Sequence, residues 1–278
     1  MNEEKILKLK EKANEIRKNV IRMLCEAGSG HPGGSLSAAD IMTALYFSVM
    51  KHDPGNPAWG GRDVFILSKG HVCPVLYAAL AEAGYFDKKE LLTLRKLNSR
   101  LEGHPSNVKG LPGIEISSGS LGLGLSVANG VALGFKLDGS ERRVYCLMGD
   151  GEMQEGQIWE AAMTGAHYKL DNVCGIVDHN KLQIDGSVKD VKGVAPVKEK
   201  WEAFGWNAVE LDGHDMGQLL EGFEKARSFK GKPTVLIAHT VKGKGVAFME
   251  NKVEWHGKVP KKEQAEEALR ILEVKSGT

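Results

Sequence analysis

Val144-Tyr145-Cys146-Leu147-Met148-Gly149-Asp150-Gly151-Glu152 runs an apolar pentapeptide into a glycine-flanked carboxylate. A short apolar run broken by glycine reads as a buried strand, here Val144 to Met148. The glycines let backbone approach a bulky anion, and Asp150 points a carboxylate at it. A carboxylate facing a phosphate needs a divalent cation between them. Alone, Gly-Asp-Gly is also a common turn. The segment that follows gives it weight: residues 154–168 read as a helix and Val173 to Val177 as a second strand, so Asn180 stands 30 positions after Asp150. A right-handed β-α-β crossover then brings both residues to one sheet edge on neighbouring strands. Asp, Asn and a nearby carbonyl are hard oxygen ligands suited to Mg2+ or Ca2+.

Outward from this unit, strands and helices continue to alternate. Ile6, Leu9, Ala13, Ile16, Val20 and Leu24 make residues 3–27 an amphipathic helix, stopped by Gly28 and Gly30. Gly30-His31-Pro32-Gly33-Gly34 reads as a rigid turn, and Ser37-Ala38-Ala39-Asp40 as the N-terminal cap of a helix through about Val49. Val64 to Leu67 is a buried strand, followed by Ser68-Lys69-Gly70-His71 and a helix to about Ala83. Residues 98–119, rich in Gly, Pro, Ser and Asn, form the longest loop. Ser120 to Leu137 sets four glycines among Leu, Val and Ala, and we read it as a buried helix whose small face permits close packing. Ala208 to Leu211 and Thr234 to Ala238 are strands, Asp215 to Phe229 is a helix capped by Asp215, and 261–273 is the last helix. This order predicts an α/β fold, a mainly parallel sheet flanked by helices on both faces, with ligands at the carboxyl ends of the strands. At 278 residues the chain sits near the size limit of one core, so a single domain over 1–278 is expected.

Composition excludes several classes. With 42% hydrophobic and 26% charged residues the chain can bury a core. A net charge of +1 gives no pull toward nucleic acid or anionic membrane. The longest apolar stretch, Val72 to Ala81, is too short to cross a bilayer and contains Pro74. Met1 to Lys5 begins no signal peptide. Cys25, Cys73, Cys146 and Cys174 form no C-x-x-C pair, which suits reduced thiols in a cytoplasmic protein. Glycine is in excess, 34 residues, and is expected at tight turns and close backbone approaches. Of nine histidines, four lie in Gly- or Pro-flanked loops: His31, His71, His104 and His256. Clustered above one sheet edge they bind phosphate, polarise carbonyls and move protons near neutral pH. His52, His167, His179, His214 and His239 read as structural.

The Asp150–Asn180 spacing is similar to the thiamine-diphosphate motif, Gly-Asp-Gly followed about thirty residues later by Asn. Further motifs fall in the same order as in one family. Gly30-His31-Pro32-Gly33, Ser68-Lys69-Gly70-His71, Gly103-His104-Pro105, Gly119-Ser120-Leu121-Gly122, Gly149-Asp150-Gly151 with Glu155-Gly156, Asp178-His179-Asn180 and Trp255-His256-Gly257 resemble transketolase, from about residue 15 to residue 260. The resemblance implies thiamine diphosphate and Mg2+, or Ca2+, as cofactors. Asp150 and Asn180 would bind the metal by side chain and Leu182 by its carbonyl. Gly151 and His71 would hold the diphosphate, with Lys242 and His256 nearby. Gly119 and Leu121 would face the aminopyrimidine end, and Gly149, Glu152 and Ile184 complete the cofactor contacts. His31, His104 and His256 would line the substrate funnel and exchange protons with sugar hydroxyls. Glu155 would lie at a subunit interface. Ser120 stands where the family usually has Pro, which puts that turn's geometry in doubt.

The resemblance also implies a reaction: transfer of a two-carbon glycolaldehyde unit from a ketose phosphate to an aldose phosphate. Full-length transketolases carry a pyrimidine-binding domain, which supplies an activating glutamate and most of the phosphate-binding arginines, and a third domain. Neither follows here, and the polar Lys275-Ser276-Gly277-Thr278 looks like a natural terminus. The chain therefore resembles the amino-terminal subunit of a split transketolase, with a carboxy-terminal partner in an α2β2 assembly. Rival readings are a deoxyxylulose-phosphate-synthase-like enzyme, a transketolase-like enzyme for another sugar, and a non-catalytic scaffold. Nicotinamide dehydrogenases are a poorer fit, because no G-x-G-x-x-G opens a helix after the early strand.

Overall fold

A computed structural model describes residues 3–274. Its centre is a sheet of strands β1 (Val64–Leu67), β2 (Val144–Gly149), β3 (Val173–His179), β6 (Asn207–Asp212) and β7 (Thr234–His239). Their spatial order is β1-β2-β3-β7-β6, and every pairing is parallel. The expected mainly parallel sheet is thus parallel throughout. A two-stranded antiparallel ribbon, β4 (Leu182–Gln183) with β5 (Gly186–Ser187), stands apart from it and has no counterpart in the sequence pattern. Two-residue strands carry too little pattern to be read from sequence.

Both faces of the sheet are covered. Phe65, Leu67, Tyr145, Leu147, Cys174, Ile176, Leu236 and Ala238 share one core with α1 (Glu3–Ala27), α3 (Ala39–Ala44), α4 (Cys73–Ala83), α9 (Met216–Ser228) and α10 (Lys262–Val274). Val64, Ile66, Val144, Cys146, Met148, Val173, Val177, Val235 and Ile237 point the other way, into α5 (Leu123–Leu137), α6 (Gly156–His167) and α8 (Val197–Ala203). Successive strand residues feed opposite cores, as the two-residue period of a strand requires. That is why these strands read as unbroken apolar runs. Short helices α2 (Pro32–Ser37) and α7 (Val188–Lys192) complete the set.

Asp215 caps α9 as expected, accepting from the Gln218 N–H at 2.9 Å. Three local expectations change. Gly33 and Gly34 belong to α2 rather than to a turn, and a Cβ on Gly33 would come within 2.9 Å of both Lys242 Cγ and the Trp255 carbonyl. Their smallness serves close packing. Ser37 does not cap the next helix: its hydroxyl is drawn instead to Asp178 at 2.6 Å, and a π-helical turn, Leu45–Val49, carries α3 to the expected end. In α5, Gly124 packs hard against Ser68, but Gly130 and Gly134 face open space. The tight small-residue face is therefore confined to the first turn.

Candidate active site

At the carboxyl ends of β2 and β3 the register sets Gly149 opposite Asp178. Asp150 and Asn180 follow on neighbouring strands, and both are buried. The cavity beside them has a volume of about 370 Å3. Its wall includes His31, His71, His256, Gly119, Leu121, Gly149, Asp150, Gly151, Glu152, Glu155, Asn180, Leu182, Ile184 and Lys242. One site thus gathers every residue anticipated from the sequence except His104. That residue is exposed at the rim, where its ring lies 3.5 Å from the position of a Cβ on Gly119.

The strand half is a carboxylate cluster. Asp150 accepts from the Lys181 N–H at 2.5 Å and from the Gly151 N–H at 2.8 Å. Burial first, then the neighbouring Asp178, pushes its carboxyl up to about 6. Asn180 accepts from the Leu182 N–H at 3.1 Å and donates to Asp178 at 3.3 Å. Asp178 is fully buried. Burial alone would raise its carboxyl, but Lys69, Ser37 and Thr240 donate to it and hold it below the usual range. Glu152 spends its carboxylate on Ser68 and on the N–H groups of Gly122 and Gly149, both at 2.9 Å, so it clamps the glycine turns that line the cavity.

The opposite half is imidazole. His31 precedes α2, His71 lies in the turn Gly70–Val72 before α4, and His256 ends the turn Val253–His256. Their ring centroids are 5.1 to 5.5 Å apart. Burial dominates in all three, lowering them to about 4, about 2 and about 3, so they are neutral at physiological pH. Lys242 donates to the Leu182 carbonyl at 2.9 Å and to His256 Nδ1 at 2.8 Å. Burial, then Lys69, brings its ammonium down to about 8. An ammonium donating to Nδ1 puts the imidazole proton of His256 on Nε2. The loop before Lys242 is pinned from behind, because the Val241 N–H donates to His214 Nε2 at 2.8 Å while His214 Nδ1 meets Asp40, itself paired with Arg17.

Sequence reasoning assigns no role to Asp178, Lys69 or Thr240, and reads Ser37 only as part of a helix cap. A carboxylate inside the buried run Val173–His179 is the available signal, because a charge is rarely placed there unless it is paired. Gln154 and Gln183 also line the cavity and are joined at 2.6 Å, a contact that no spacing announces.

The donor set fits an anionic cofactor held through a divalent cation. Asp150 is a buried carboxylate without an ammonium partner of its own among the described residues, since Lys69 is committed to Asp178. Asn180 and the Leu182 carbonyl add neutral oxygens beside it. The Leu182 carbonyl already attracts a cation, that of Lys242. Among the described residues no group of three or more His, Cys, Asp or Glu side chains forms a metal cluster.

Comparisons with known proteins agree with this geometry. Residues 9–275 match the family model described as transketolase, thiamine diphosphate binding domain. An apulose-4-phosphate transketolase subunit of Phocaeicola vulgatus is 43% identical over 91% of this chain and 90% of its own length. The 6-deoxy-6-sulfo-D-fructose transketolase subunit SqwG of a Clostridium species is 42% identical over 98% of both chains. A crystal structure of Campylobacter jejuni transketolase superposes with a TM-score of 0.90 at 35% identity, covering 100% of this chain and 43% of that one. The parallel sheet, the Asp150–Asn180 edge and these matches together show that the chain belongs to the transketolase family and corresponds to its thiamine diphosphate binding domain.

Proposed function

We propose that this chain is the amino-terminal subunit of a two-subunit transketolase. The observation that carries the reading is the pairing of the Asp150–Asn180–Leu182 oxygen set with three neutral imidazoles across one cavity. Asp150, Asn180 and the Leu182 carbonyl would hold Mg2+, or Ca2+, against the diphosphate. Bound thiamine diphosphate supplies the nucleophilic carbon that carries a two-carbon unit between sugars. Gly149 and Gly151 would let the diphosphate come close to the backbone, and His71 and Lys242 would donate to it. His31 lines the cavity with its ring centroid 5.1 Å from His71 and 5.5 Å from His256, and there it would exchange a proton with a sugar hydroxyl. His256 Nε2–H, fixed by Lys242, donates to a substrate oxygen. His104 reaches the substrate from the rim.

The partner reading is supported by length. The chain matches nearly the whole of two relatives named as transketolase subunits, and 43% of the solved transketolase chain. A carboxy-terminal polypeptide carrying the pyrimidine-binding domain would complete the site, in an α2β2 assembly with Glu155 and exposed Leu121 and Ile184 at the junction. The relatives' names include a phosphorylated and a sulfonated ketose, so the donor proposed here is a ketose with an anionic tail. Cys25, Cys73, Cys146 and Cys174 are all free thiols, which supports a reducing, cytoplasmic location. No helix among the described residues is long and apolar enough to cross a membrane.

Ketol transfer from xylulose 5-phosphate to ribose 5-phosphate tests the reading. Activity is expected only with the carboxy-terminal partner, thiamine diphosphate and Mg2+ together. Full activity of the lone chain would overturn the split-enzyme reading. Failure of the assembled complex to bind thiamine diphosphate would favour a scaffold instead.

A further inference from the structure

The amino ends of the same strands carry a second cavity, of about 390 Å3, at the opposite edge of the sheet from the histidines. Its wall has five basic side chains against three acidic ones, an excess of two positive charges. Two of the acidic groups are already engaged. Asp63 accepts from the N–H groups of Lys51 and Arg143, both at 2.9 Å. Asp171 accepts from the Gly231 N–H at 2.9 Å and faces Lys136 at 3.5 Å. Lys51, Arg143, Arg227 and Lys230 have no carboxylate within ion-pair distance among the described residues, although Lys230 contributes to the field at Asp171.

The two arginines are held in place by carbonyls rather than by counter-charges. Arg143 is only 7% exposed and donates through Nη2 to the Ala226 carbonyl at 2.8 Å. Its Nε is buried and has no hydrogen-bond partner among the described residues. Arg227 donates through Nη2 to the Val49 carbonyl at 3.0 Å. Each keeps further guanidinium donors, with the stem fixed beforehand. Charge-assisted, forked donation of this kind suits a tetrahedral dianion. A surface that merely solvates lysines does not require a nine-tenths buried arginine at its base.

We propose that this cavity binds a phosphate dianion, free or as the monoester of a small metabolite. Buried Arg143 stands at the base of the site, and exposed Arg227, Lys51 and Lys230 line it around that base. The site is separate from catalysis and needs neither thiamine diphosphate nor the partner.

The test is calorimetry on the full chain saturated with thiamine diphosphate and Mg2+, which occupy the first cavity. Inorganic phosphate and glycerol 1-phosphate are the probes. One site is expected, weakened about tenfold or more in the exposed pair Lys51→Ala/Lys230→Ala, with cofactor affinity unchanged and with unchanged transfer activity once the variant is assembled with the carboxy-terminal partner. Arg227→Gln should weaken it comparably. Tighter binding of the ester supports a metabolite as occupant, and equal binding supports the free ion. No binding of either probe, or undiminished binding in both variants, overturns the proposal.

Discussion

Asp150, Asp178, Asn180 and Leu182 lie on or just beyond two paired strands, whereas His31, His71, Lys242 and His256 come from turns and loops that the chain visits far apart. The strand half is positioned by hydrogen-bond register, which admits shifts only in whole residues. The imidazole half is positioned by packing: glycines bring α2 against the Lys242 loop, and the Arg17–Asp40–His214 chain holds that loop from behind. The two halves also differ in charge. One concentrates buried carboxylates, and the other keeps its imidazoles neutral by burial beside the ammonium of Lys242. The cavity between them is shaped by both forms of support.

The largest blow to the strand half is Asp178→Ala. It removes the counter-charge of Lys69, which is 3% exposed, and strips Ser37 and Thr240 of their acceptor. Leaving a buried ammonium unpaired costs about 3–5 kcal/mol. Urea unfolding of the cofactor-free chain should show a loss of that size; one below about 1 kcal/mol would mean that Asp178 is not the hub of the strand ends.

Asp150→Ala should act on ligand rather than on fold. Cofactor affinity by calorimetry in Mg2+ is expected to fall about 100-fold or more, with no loss of cofactor-free stability. Unchanged affinity would refute the metal assignment. For the packed half the corresponding change is Gly33→Ala. Its new methyl would meet the Trp255 carbonyl and the Lys242 stem, both at 2.9 Å, at a cost of about 1–3 kcal/mol, with displacement of Lys242. Cofactor binding should weaken although residue 33 supplies no ligand group. A variant as stable as the parent would show that the loop gives way easily.

This division explains what the sequence discloses and what it hides. Asp150 and Asn180 are legible because strand, helix and strand convert a spacing of 30 into adjacency, and because both strands are unbroken apolar runs. The site's histidines are recognisable from flanking Gly and Pro and from the resemblance. Their mutual distances are not, since packing between distant segments leaves no periodic trace. Asp178 stands in a recognised motif, but its role stays hidden because that role is to organise other residues. The fold is legible at the level of elements and of neighbouring strands joined by crossover rules, but Ser37 shows the limit: a good local cap is lost to a buried carboxylate 141 residues away.

The smallest effect separates the halves by sign. In the cofactor-free chain His71 is lowered to about 2, mainly by burial and then by Lys69, against an ordinary imidazole value of 6.5. Above pH 6.5 it is neutral whether folded or unfolded and contributes nothing. Below that, the unfolded chain takes a proton that the folded chain refuses, so stability falls as pH drops, by about 1 kcal/mol per pH unit for one imidazole. Asp150 runs the other way. Its folded value of about 6 exceeds the ordinary 3.8, so between them the folded chain holds the extra proton and acidification stabilises it. His71→Asn should therefore flatten the acid loss between about pH 6 and pH 4, and Asp150→Ala should steepen it. Urea midpoints measured across that range decide the matter: parallel curves for parent and both variants would mean that the cavity is solvated enough to erase the contrast between its halves.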